Sequence, residues 1–182
     1  MRWILSLSVV FAGLLSHSVS AADLRIDPAA SKLEFVGSKP EGSHTGGFKN
    51  FTGKITVPGD DFTKAVVTVE ILTDSLFSDD AKLTQHLKSA DFFSVREFPK
   101  ATFTSTAITQ SKKAEATHEI TGNLTLHGVT KPVTVPVKVT ADGSGVKIHG
   151  GFTLQREQFG MTYGKGKIHN DVKVTLSLKA AR

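Results

Sequence analysis

Apolar and polar residues alternate with period two over much of the chain, most clearly in Asn123 to Thr140, NLTLHGVTKPVTVPVKVT. Leu124 and Leu126 stand between polar neighbours, and after His127-Gly128 the alternation resumes at Val133, Val135, Val137 and Val139. Period two places such side chains on one face of a strand. Two strands joined by a short segment containing Gly128 make an antiparallel hairpin with one apolar face. Pro132 and Pro136 lack the amide proton of a central ladder, which predicts a position near a sheet edge or a barrel seam. A hairpin is not stable alone in water, so further strands or a ligand must cover the valines.

The same pattern recurs on both sides of this hairpin. Leu33 and Phe35 mark a first strand after the Asp27-Pro28 turn, ending at Gly37. SKPEGSHTGG (38–47) then reads as a loop leading to Phe48, Phe51, Ile55 and Val57. The spacing of Phe48 and Phe51 breaks period two and predicts a bulge near Asn50. Val67, Val69 and Ile71 form one face of a third strand after the turn Pro58-Gly59-Asp60-Asp61. One segment is helical, 79–90: Ser78, Asp79 and Asp80 suit its start, while Leu83 and Leu87 share a face. Phe92 and Phe93 follow it, and Phe98-Pro99 ends the excursion. Strands are expected over 102–109, 115–126, 145–154 and 172–178, with Asp142-Gly143-Ser144-Gly145 as a turn. About eight antiparallel strands with one short helix over an opening predict an all-β fold, a closed or nearly closed barrel, with a sandwich as the alternative.

The first residues do not belong to that pattern. Met1-Arg2, the apolar run Trp3 to Leu15 and the small residues before Ala22 have the order of a secretory signal peptide, placed at 1–21 with cleavage after Ala21 or Ala22. The run is too short to span a bilayer, so no transmembrane segment is expected after cleavage, and the location is periplasmic or secreted. Residues 22–182 are one domain, large enough to stand on its core. With no cysteine it has neither disulfides nor thiolate chemistry. Without Arg2 the balance is 21 Lys and Arg against 17 acids, +4, and the basic residues are dispersed, which argues against nucleic acid. Trp3 leaves with the leader while eleven phenylalanines stay, so the interior is apolar with few polar handles.

No catalytic set is visible. HExxH, GxSxG and the P-loop are absent, and His44, His86, His118, His127, His149 and His169 are scattered along the mature chain. No enzyme activity, cofactor or metal is therefore expected.

Several longer stretches carry a family resemblance: GGFKNFTG (46–53), HLKSADFF (86–93), FPKATF (98–103), LTLHGVTKP (124–132) and Phe159-Gly160-Met161. In these the chain resembles the YceI-like family of exported, lipocalin-like, polyisoprenoid-binding proteins. The resemblance implies an eight-stranded antiparallel barrel with a helical lid, often a homodimer, holding a long apolar chain such as a polyprenyl diphosphate, a quinone tail or a fatty amide.

An eight-stranded barrel either fills its interior with side chains or keeps a slot for one small ligand. Inward candidates are Phe35, Phe48, Phe51, Val67, Val69, Ile71, Phe103, Leu124 and Leu126, then Val133, Val135, Val137, Ile148, Phe152, Val172, Val174 and Leu176. Leu83, Leu87, Phe92 and Phe93 belong to the lid, and Phe159 completes the ligand-binding set. At roughly 0.8 kcal/mol per buried methylene, a tail of about twenty carbons gains on the order of 16 kcal/mol before ordering costs. For a polar head the candidates are Lys39, His44, His86, Arg96, Arg156, Tyr163, Lys165 and Lys167, the last two on a flexible loop able to meet a phosphate. The alternative function is a filled-barrel stress or interaction protein that binds another protein through its surface.

Overall fold

The structure, a computed structural model, describes residues 21–59, 61–142 and 144–182. The expected leader lies outside them apart from Ala21, which opens the first strand. The strands are β1 (Ala21–Ile26), β2 (Lys32–Lys39), β3 (Gly42–Phe48), β4 (Phe51–Pro58), β5 (Val66–Leu72) and β6 (Leu76–Ser78), then β7 (Lys100–Gln110), β8 (His118–Leu126), β9 (Val129–Asp142), β10 (Gly145–Gln155) and β11 (Asp171–Ala181). Pairing runs β1-β4-β5-β7-β8-β9-β10-β11 and returns to β1 through Arg25 opposite Ala181 and Ile26 opposite Ala180. The sheet therefore closes on itself as an eight-stranded antiparallel barrel. Closure removes the exposed edges that an open sheet would present.

Three of the eight walls are strands in two lengths. β1 resumes as β2 after a 3₁₀ turn at Pro28–Ala30, β3 resumes as β4 across Lys49-Asn50, and β5 resumes as β6 across Thr73–Ser75. β2, β3 and β6 pair with one another above β1, β4 and β5, and β2 shares β11 with β1. The break at Asn50 is the irregularity that the spacing of Phe48 and Phe51 predicts. Its backbone is tied to the neighbouring break, Lys49 N–H donating to Ser75 O and Leu72 N–H to Asn50 O.

Two expectations are corrected here. The strand beginning at Lys32 does not stop at Gly37 but continues to Lys39, and the segment read as a loop, 38–47, is mostly β3. Its glycines are poor strand formers, yet the Phe35 and Phe77 rings lie over Gly46 and Gly47, where larger residues would not fit. β1 was not anticipated from the sequence, although Leu24 and Ile26 alternate and are both buried.

The 123–140 hairpin forms as expected, with a two-residue turn. His127 (φ 51°) and Gly128 (φ 73°) both take the left-handed conformation of a type I′ turn. His127 Nδ1 bonds Phe159 O at 3.0 Å and its ring meets Phe98 edge-on, so a structural contact holds this uncommon histidine geometry. β9 pairs with β10 only over Val137 to Asp142. Pro132 and Pro136 thus lie in the half of β9 that has β8 alone beside it, at a seam of the barrel.

One end of the barrel is plugged. Leu24, Ile55, Ile108, Val146 and Ala180 are buried there in a common apolar cluster, with Ile55 fully inaccessible. The other end carries the helix α1 (Ala81–Lys88), shorter by two residues at each end than the sequence expectation. Asp80 caps it by accepting from Leu83 N at 2.7 Å, and His86 and Lys88 occupy the last turn, where the helix dipole favours positive charge.

Candidate functional site

Above the plug the barrel is hollow. A cavity of about 410 Å³ runs through it, within the range of small-ligand sites. The emptiness follows from the wall: β5, β9 and β11 present Val67, Val69, Val133, Val135, Val137, Val172 and Val174 inward, and valine is too short to reach the axis. Val69, Val133, Phe103, Phe152 and Val174 point into the barrel yet are only partly buried, because their far sides face open space.

All seventeen inward candidates from the strands line this cavity, and so do Leu83, Leu87, Phe92 and Phe93 from the lid. Phe159 does not. It is buried beside the seam, its carbonyl accepting from the His127 ring, so its role is structural. The sequence reading missed Leu33, Ala101, Ile120, Leu154, Met161, Ile168 and Leu178 as lining residues. Leu33, Ile120, Leu154 and Leu178 were detectable, since each continues the period-two pattern of a recognised strand.

The lid is fastened at both ends. Asp79 accepts from Thr45 N at 2.9 Å through one carboxylate oxygen and pairs with His44 Nδ1 at 2.9 Å through the other. The Thr45 bond comes first and the His44 bond second in holding the Asp79 carboxyl below its ordinary value. At the far end His86 Nε2 meets Asp91 at 2.8 Å. Phe93 descends onto Phe48 and Phe35, with centroids 5.7 and 6.3 Å away, while Phe92 joins His86 and Tyr163 at 5.0 and 5.3 Å. These phenylalanines staple the lid and form part of the cavity wall at once.

Of the head candidates, Lys39, His44, His86, Arg156 and Tyr163 line the cavity, joined by His169, whereas Arg96, Lys165 and Lys167 do not. Arg156 is 3% exposed and already engaged: Nε donates to His169 O, Nη1 to Met161 O and Tyr163 O, and Nη2 to Ile168 O, at 2.6 to 3.1 Å. Burial lowers its pKa, partly opposed by Glu157. It holds the 161–169 segment over one side of the mouth, a role that no spacing in the sequence reveals. Lys165 pairs with Glu157 at 3.2 Å. Among the described residues no helix is long and apolar enough to cross a membrane.

The comparisons with known proteins agree with this architecture. The YceI-like domain family matches residues 24–180. Protein YceI of Salmonella agona is 34% identical over 192 aligned positions, covering 97% of this chain and 96% of that protein. The crystal structure of Burkholderia cenocepacia BcnA superposes with a TM-score of 0.77 at 25% identity, covering 86% of this chain and 99% of that one. A polyisoprenoid binding domain from Saccharophagus degradans shares the fold, with a TM-score of 0.67 at 17% identity over 89% of this chain and 99% of its own. A lidded eight-stranded barrel with an apolar lumen, matched from end to end of the domain, places this chain in the YceI-like family.

Proposed function

We propose that this protein is an exported, non-catalytic binding protein that holds one long apolar lipid inside its barrel, for carriage, storage or sequestration in the periplasm or outside the cell. The observation that carries the reading is the cavity of about 410 Å³, walled by valine, leucine, isoleucine and phenylalanine and roofed by Leu83, Leu87, Phe92 and Phe93. Such a wall offers a ligand little besides apolar area, so a tail gains roughly 0.8 kcal/mol for each methylene it buries. A thin, flexible chain fits a narrow lumen better than a compact rigid molecule of equal area. A polyisoprenoid, a quinone tail and a fatty amide all meet that description. The polyisoprenoid is further supported by the structural likeness to a domain described as binding one. The order of residues in 1–21 supports export.

The experiment is native mass spectrometry of the mature protein purified without detergent, followed by solvent extraction and lipid mass analysis. One long-chain lipid per barrel is the expected result. An empty protein that also refuses added polyprenol, polyprenyl diphosphate, quinone and fatty amide would overturn the reading.

A further inference from the structure

The basic residues are dispersed along the chain, but the barrel gathers several of them on one wall. Val137, Val146, Ile148, Leu178 and Ala180 are buried, so the residues that alternate with them, Lys138, Lys147, His149, Ser177 and Lys179, stand exposed on the outside of β9, β10 and β11. The register lines them up in two rows. Lys138 lies opposite His149, His149 opposite Ser177, and Ser177 opposite Lys32 of β2. One rung nearer the plug, Thr140 lies opposite Lys147 and Lys147 opposite Lys179. A groove of about 270 Å³ runs among Lys138, Lys147, Lys179 and His149, with Thr140 and Ser177 adding hydroxyl groups.

This wall is charged differently from the rest of the barrel. Elsewhere lysines are matched by acids: Lys54 meets Asp23 at 2.9 Å, Lys100 meets Glu70 at 2.9 Å and Lys113 meets Glu119 at 3.7 Å. Here Lys32, Lys138 and Lys179 have no carboxylate partner among the described residues, and Lys147 reaches Asp142 only at 4.0 Å. Lys147 and Lys179 are like charges directly opposite each other, an arrangement that costs a sheet stability. An anionic layer laid over both ammonium groups turns that repulsion into attraction.

The side chains of the wall decide among anionic partners. Specific protein interfaces are rich in aromatic residues and poor in lysine, and single-stranded nucleic acid is held on aromatic platforms. Neither row contains an aromatic residue other than His149. Flexible, strongly hydrated lysine heads suit a diffuse layer of phosphates instead, as in the headgroups of an anionic bilayer. The charge of the opposite end adds direction. The lid segment, 74–97, has five acids against three Lys and Arg, a balance of −2, and is turned away from a negative surface.

We propose that the outer wall of β9, β10, β11 and β2 docks this protein on an anionic lipid surface through Lys32, Lys138, Lys147 and Lys179, leaving the lid and mouth free. The docking goes beyond the holding of a lipid and needs no ligand in the barrel.

The test is flotation of the mature protein with vesicles of phosphatidylcholine, alone or with about 30 mol% phosphatidylglycerol, at salt from about 20 to 300 mM. We expect binding to the anionic vesicles only, strongest at low salt and largely lost at the upper end. A lysine near an anionic bilayer counts for about fivefold in affinity, so Lys147→Gln with Lys179→Gln should weaken binding at least tenfold. Lys54→Gln with Lys100→Gln removes the same charge from the rest of the wall and should cost less than threefold. The vesicle comparison and the salt series need no variant, so they stand whether or not the variants fold. Equal binding to neutral vesicles, no binding at low salt, or equal losses in the two double variants would overturn the proposal. Refusal of vesicles together with Lys147- and Lys179-dependent binding of polyglutamate would also overturn it and assign the wall to an acidic protein. The lipid content of the barrel, read separately, leaves the outcome unchanged.

Discussion

The ring of Phe35 lies on Gly46, its partner across the β2–β3 ladder, so closely that a Cβ at Gly46 would sit 2.5 Å from Phe35 Cζ. Phe103 is placed the same way over Gly122, where a Cβ would lie 2.4 Å from its Cζ. Each glycine lets a large ring fold flat against the wall instead of projecting into the lumen. Gly122→Ala should force Phe103 outward into the cavity and strain the nearby Thr104 carbonyl, at about 1–3 kcal/mol of stability. Urea unfolding measures the loss, and a reduced stoichiometry of bound lipid measures the narrowed lumen. A variant with unchanged stability and full lipid loading would show that the ring has another place to go.

A hollow barrel and a filled one respond oppositely to added volume. Val133 lines the cavity from β9 and is only partly buried, its far side facing the lumen. In a close-packed core, Val→Phe overpacks and destabilises by about 1–3 kcal/mol. Here the ring enters open space, so Val133→Phe should leave the melting temperature within a few degrees of the parent while lipid binding drops at least tenfold. Loss of stability without loss of binding would contradict the geometry described.

Much of this was legible in the chain because one face of most strands is apolar, and period two survives whether that face meets other side chains or a cavity. The seventeen inward residues were therefore accessible from pattern alone. The hollowness was not: Val133 or Val174 reads identically in a filled barrel, and only the distance across the lumen decides. The 38–47 segment misled because Gly46 and Gly47 signal a loop locally, whereas their smallness serves the rings of Phe35 and Phe77 from the neighbouring strands. Arg156 was singled out for its charge, but its partners are backbone carbonyls five to thirteen residues away, which side-chain identity does not encode. The same blindness applied to Lys165, whose partner Glu157 lies across a turn.

Arg156 should behave as the keystone of the mouth. Arg156→Ala orphans the carbonyls of Met161, Tyr163, Ile168 and His169. Each lost bond counts on the order of 1 kcal/mol, so a total near 3 kcal/mol is expected, with water recovering part at the exposed positions. Arg156→Lys retains the charge but not the planar fork, and should recover less than half of the loss. Hydrogen exchange should show faster exchange of the 161–169 amides in both variants, with the β8–β9 hairpin unaffected. Uniform acceleration over the whole barrel would instead mean that Arg156 supports the fold globally.

Acid should loosen the lid before it unfolds the barrel. Asp79 has its pKa lowered by the Thr45 amide first and the His44 ring next, and Asp23, Asp61 and Asp142 are lowered by hydrogen bonds from their own neighbours. A carboxyl depressed in the folded state contributes stability that is present above its unfolded value, about 3.9, and lost as pH falls through the folded value. Stability should thus hold on this account down to about pH 4 and decline below it. All four groups are solvent-exposed, so each contribution is small and screened. For Asp79 the consequence is local: protonation, or Asp79→Asn, weakens the carboxylate's bonds to His44 and the Thr45 amide, leaving the Asp79 N–H bond to Thr45 O to hold the start of the lid to β3. Lipid release from the loaded protein should therefore accelerate severalfold as pH falls below about 4, while far-ultraviolet circular dichroism still reports an intact barrel. Asp79→Asn should release lipid faster at neutral pH and lose part of the acid response. If release and unfolding coincide in both proteins, the lid is not the element that Asp79 controls.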